Sequence, residues 1–154
     1  MMKKIAGPVA AVLAAVMLTS CRVVDGGERG FRDAPKEERE LLFKDSERLG
    51  DGILKAFRDK DFAALKRNMP GELGTQLAEK DFAASCRNCD EKFGKLREFR
   101  LLTSLETPAF GNLIWVVTFA RHGADGAEIR RQLLFRLVTM RVDGRTQVVS
   151  CGFL

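Results

Sequence analysis

The chain is poorest in the residues that most often move protons near neutral pH. It has one His (His122), no Tyr and one Trp (Trp115) in 154 residues. Imidazole is the side chain whose ordinary pKa lies nearest neutrality, so a single His leaves few ways to build an acid/base set. The four Cys include one C-x-x-C and no second, and a lone His gives no His spacing, so a four-ligand zinc site is not supported. No metal and no cofactor is expected. The charge excess is small: 26 Lys/Arg against 21 Asp/Glu give +5. That is too little to act as an electrostatic footprint for nucleic acid, and no such partner is expected. No internal repeat is visible. What is present is 45% hydrophobic and 31% charged, a globular balance in a length suited to one ordinary domain.

Charge is unevenly placed. Lys3 and Lys4 form a short positive start, and residues 5–20 follow without a charge. That run contains Gly7 and Pro8 and falls short of the about 20 apolar residues that span a bilayer. Its dimensions are those of a secretory h-region. It closes on Leu18-Thr19-Ser20-Cys21, which resembles the lipobox of bacterial lipoproteins. The resemblance implies that Cys21 is the lipid attachment site, because a thiolate is the available soft nucleophile. It implies removal of residues 1–20 and acylation of the new N-terminus, and several acyl chains anchor stably where one binds marginally. Arg22, in place of the Asp that retains such proteins at an inner membrane, favours an outer membrane facing the periplasm if the envelope is Gram-negative. Loss of Lys3 and Lys4 with the leader lowers the formal charge to +3.

Residues 21–35 hold three Gly and mixed charge without a period, which reads as a flexible tether. A single α+β domain is expected over 36–154. Leu42, Leu49, Ile53 and Phe57 recur on one face of a helix from Pro35 to about Lys60. Gly50 and Gly52 interrupt it and mark close packing or a bend. Asp61 can cap a second helix holding Phe62 and Leu65, ended by Pro70-Gly71. A third helix is expected from Thr75 to about Phe93, with a stripe of Phe82, Cys86, Cys89 and Phe93.

After Gly94 the period becomes two. Strands are expected over 96–105, 113–121, 128–142 and 145–154, with Gly111-Asn112 in a turn and Asp143-Gly144 as a two-residue hairpin signal. Alternation places Phe99, Leu101, Thr103 and Leu105 together on the first strand. It assigns Trp115, Val117, Phe119, Leu133, Phe135, Leu137, Val149, Cys151 and Phe153 to the helix-facing side. Arg100, Leu102, Ile114, Val116, Thr118, Leu134, Arg136, Val138, Val148 and Ser150 fall on the other. Helices followed by an antiparallel meander give an α+β fold, the helices packed on a curved four-stranded sheet.

The segment 36–154, with "DKDFAAL" (Asp59 to Leu65), "FGKLREF" (Phe93 to Phe99) and the terminal meander, resembles small NTF2-like or cystatin-like domains. The resemblance implies a sheet curled around a pocket and dimerisation through the sheet in many members. Some members are isomerases or dehydratases using Asp/His pairs. Here the only His lies in a Gly-rich turn, and no inward acid is apparent on the strands.

Three groups of residues carry what chemistry the chain offers. Cys86-Arg87-Asn88-Cys89 is a C-x-x-C that in an exported chain suits a thioredoxin-like pair. It lies inside a predicted helix, however, and on its apolar stripe. With Cys21 lipidated, the remaining thiols can instead form a Cys86–Cys151 or Cys89–Cys151 bridge, or stay as reduced core thiols. From residue 95 onward nine Lys/Arg oppose five acids, which suits an anionic contact or charge that guards sheet edges. Arg100 and Arg136 stand apart because they interrupt an apolar face, where they line a ligand pocket or pair with acids across a dimer. The reading is a lipid-anchored, non-enzymatic envelope lipoprotein with a small binding or protein-interaction domain. Its expected partners are the membrane, through the lipid, and either a second copy through the sheet or another envelope protein. The alternative is a periplasmic enzyme, either a Cys86/Cys89 thiol-disulfide protein or a pocket enzyme of NTF2-like type.

Overall fold

The computed structural model describes residues 35–107 and 109–154. The leader expected over 1–20, Cys21, and the tether expected over 21–35 except Pro35 lie outside the described residues. Among the described residues four helices precede four strands: α1 (Lys36–Asp59), α2 (Phe62–Arg67), α3 (Glu72–Gln76), α4 (Glu79–Phe93), β1 (Lys95–Glu106), β2 (Phe110–His122), β3 (Glu128–Val142) and β4 (Arg145–Phe153). The strands form one antiparallel sheet in the order β1-β2-β3-β4. The helices pack on one face of it, as the α+β reading expects. No helix among the described residues is long and apolar enough to cross a membrane.

Helix α1 is built by its ends and its inward stripe. Glu37 and Glu38 occupy the first turn and Arg58 the last, each favoured by the local end of the helix dipole. The helix stops where Lys60 turns left-handed (φ 57°) and the Asp61 amide donates back to the Ala56 carbonyl at 2.9 Å, a Schellman closure. Leu49, Ile53, Leu54 and Ala56 are buried. Asp61 caps α2 as expected, its carboxylate accepting from the Ala64 amide at 2.8 Å.

The third helix is two helices. Leu77 and Ala78 are extended between α3 and α4. Gly74 lies so close to the 69–71 turn that a Cβ there would sit 1.8 Å from the Met69 carbonyl oxygen. This approach fixes α3 against the turn, while Leu73 and Leu77 pack on the core and α4 buries Phe82 and Cys86. A hydrophobic stripe has the same period on either side of such a break, so periodicity alone runs the two together.

The sheet departs from simple alternation at three bulges. In β1, Leu96 faces Phe119 but Glu98 faces Thr118, and Leu101 faces Trp115 but Thr103 faces Ile114. Each extra residue reverses the side on which later side chains emerge. Thr103 and Leu105 therefore lie opposite Phe99 and Leu101, not with them. In β4 a third bulge lies where Val138 faces Ser150 and Thr139 faces Val148. Val148 is buried, and Val149, expected inside, is 40% exposed. Strand β2 also starts earlier than expected and includes Gly111-Asn112. A Cβ on Gly111 would come 2.4 Å from Thr139 Oγ1 and 2.5 Å from Ser46 Oγ. Those two hydroxyls meet at 2.5 Å between α1 and the sheet. The Ser46 proton goes to the Leu42 carbonyl, so Thr139 donates to Ser46 and both buried hydroxyls are partnered. The β3–β4 turn is the two-residue hairpin expected: Asp143 (φ 50°) and Gly144 (φ 74°) are both left-handed, as a type I′ turn requires.

The core sits between α1 and the inner face of β2 and β3. Trp115, Val117, Phe119, Leu54 and Leu137 have essentially no exposure. The indole of Trp115 lies on Gly50, where a Cβ would be 2.2 Å from ring atom Cη2, and its Nε1 donates to Asp51 Oδ1 at 2.8 Å. Gly50 thus marks close packing rather than a bend. Gly52 does the same against the Asn68 side chain.

Gly50→Ala is expected to lower stability by a net of up to about 2 kcal/mol. Overpacking a core costs about 1–3 kcal/mol and helix propensity returns up to about 1. Gly152→Ala, where a Cβ meets nothing within 4 Å, should stay within about 0.5 kcal/mol of the parent. Urea midpoints of the two variants check both.

Candidate functional site

The inner side of the sheet is closed by aromatic packing. Phe57 meets Phe82 and Phe153 edge-on at 6.0 and 5.7 Å, Phe119 meets Phe153 at 5.6 Å, and Trp115 meets Phe135 at 6.0 Å. Edge-to-face pairs at these distances are favourable contacts. They occupy the space in which a sheet-lined pocket would lie. Open volume is found at the rim instead. A cleft of about 780 Å³ lies between the start of α1 and the β1–β2 turn, lined among others by Arg39, Phe43, Leu113 and Arg141. Arg141 is held there between Glu38 and Asp45, each at 3.8 Å, and donates to the Gly144 carbonyl at 2.5 Å. Thr146 adds a 2.8 Å bond to the same Asp45. These contacts fasten α1 to the β3–β4 hairpin. They are a structural use of the charges lining the cleft.

The outer face of the sheet has no such covering within the described chain. Pairing sets its rows. Arg100, Val116 and Leu134 lie side by side, then Thr103, Ile114, Arg136 and Gly152, then Leu105, Asn112, Val138 and Ser150. Leu102, Leu105, Phe110, Leu134 and Val149 are 38–48% exposed, which makes a contiguous apolar surface of a kind that marks interaction sites. Arg100 and Arg136, expected on this face, are both there and both exposed. Arg136 Nε donates to Asn112 Oδ1 at 2.9 Å. Asn112 is 7% exposed and holds the guanidinium in one orientation. Neither Arg has a carboxylate partner among the described residues. Sequence reasoning missed Asn112, because it was expected in a turn. It missed Val149 because a bulge shifts it outward. The Gly-Asn pair read as a turn signal even though its neighbours on both sides alternate.

The three thiols lie in or against the core. Cys86 is buried, Cys89 and Cys151 are partly buried, and all three are free. Cys86 lies midway along α4, far from its N-terminus. Burial pushes the Cys86 thiol up to about 11, with the nearby Lys60 opposing the rise, and Cys151 up to about 12; it raises Cys89 as well. A reactive cysteine needs the opposite shift, which a helix N-terminus or an adjacent cation provides. His122 is exposed at the end of β2, with Nδ1 3.3 Å from the Gly126 carbonyl. No carboxylate hydrogen-bonds it among the described residues. No group of three His, Cys, Asp or Glu that could hold a metal ion occurs among the described residues.

No protein-family model matches the chain, and no curated protein matches it. Its solved structural neighbours include an NTF-2 like protein of unknown function from Shewanella oneidensis MR-1. That protein has 16% identity and a TM-score of 0.46, covering 71% of this chain and 96% of that one. Aln2 from a Streptomyces species has 16% identity and a TM-score of 0.48, covering 78% of this chain and 92% of its own. A SEC-C motif containing protein from Rhodopseudomonas palustris has 21% identity and a TM-score of 0.45, covering 69% and 76%.

The thiol shifts fix a pH dependence. Ionising Cys86 or Cys151 is harder in the folded chain than in the unfolded one. Their contribution to stability is therefore complete below about pH 9 and lost as pH rises toward 11 and 12. The urea midpoint should fall between about pH 8 and 10, and the fall should flatten in Cys86→Ala/Cys151→Ala. Native-state reaction of both thiols with a chromogenic disulfide reagent should be slow and become fast in denaturant.

Proposed function

We propose that this chain is a lipid-anchored, non-enzymatic protein of the bacterial cell envelope. Its folded domain serves as a protein-interaction module. The observation that carries this reading is the contrast between the two sides of the sheet. The inner side, where a substrate pocket would be built, is filled by Phe57, Phe82, Phe119, Phe153 and Trp115. The outer side presents Leu102, Leu105, Phe110, Leu134 and Val149 around two arginines. Apolar area of this kind gains about 25 cal/mol per Å² when covered, so the face favours a partner. Positioned arginines add direction to that contact.

The anchor is read from Lys3, Lys4, the uncharged run over 5–20 and Leu18-Thr19-Ser20-Cys21. Cys21 carries the lipid, and the absence of Asp at position 22, where Arg22 stands, favours an outer membrane, facing the periplasm, in a Gram-negative envelope. The partner is another envelope protein or a second copy of the chain. The enzymatic alternatives draw less support: the Cys86 and Cys89 thiols are raised by burial, and exposed His122 is hydrogen-bonded to the Gly126 carbonyl rather than to a carboxylate.

Labelled palmitate fed to a bacterial host expressing the chain should enter the parent protein. It should be absent from Cys21→Ser, which should also leave the membrane fraction. Equal labelling of parent and variant, or none in the parent, overturns the anchor.

A further inference from the structure

We draw no further inference here: the strongest candidate, the apolar outer face of the sheet around Arg100 and Arg136, carries nothing beyond the interaction reading, because exposed Glu98 puts an acid on the same face beside the arginines and nothing in the structure shows what covers it.

Discussion

The seat of Trp115 on Gly50 is the contact on which the rest of the architecture depends. A fully buried indole in the middle of β2 needs a flat, side-chain-free surface to approach α1 this closely, and Gly50 provides it. The adjacent Asp51 takes the indole N–H, so the one polar atom of the ring does not go unpaired in the core. Contact and hydrogen bond together set the depth of α1 over the sheet. One turn earlier, the Ser46–Thr139 hydroxyl pair fixes the same helix to β3. Toward its end, Phe57 reaches Phe153 on β4. Three points along one helix leave little freedom for the sheet beneath it.

That arrangement has a functional consequence. With α1 seated so low, the aromatic side chains of α1, α4 and β2–β4 interlock and fill the interior. Open surface is left at the rim and on the outer face instead. The sheet's bulges then decide what that face contains. Those in β1 and β4 turn Leu105 and Val149 outward, which enlarges the apolar surface around Arg100 and Arg136. Cys86, Cys89 and Cys151 follow the interior instead. They behave as small apolar groups, and their raised pKa values reflect the dry surroundings that make them poor nucleophiles.

Much of the fold was legible. The Asp61 cap, the stop after Asp59, the period change at Gly94 and the Asp143-Gly144 hairpin are local signals with local causes. Each lies within a residue or two of where the structure places it. Arg100 and Arg136 were legible as well, because two charges in an apolar alternation stand out. The α3–α4 break, the strand character of Gly111-Asn112 and the outward turn of Val149 were not. Each depends on tertiary contacts: the packing of Leu73 and Leu77 on the core for α3, Ser46 and Thr139 for Gly111, and the register against Val138 for Val149.

The sequence by itself determined the class of fold, the order of its elements and the two-faced character of the sheet, because capping, turn chemistry and periodicity act over a few residues. Only the tertiary structure decided which face each residue of β1 and β4 shows, how Asn112 orients Arg136, and that the interior is packed rather than hollow. Those outcomes depend on bulges and close approaches between segments. The free energy of such contacts is set by shape complementarity across the chain and leaves no periodic mark along it.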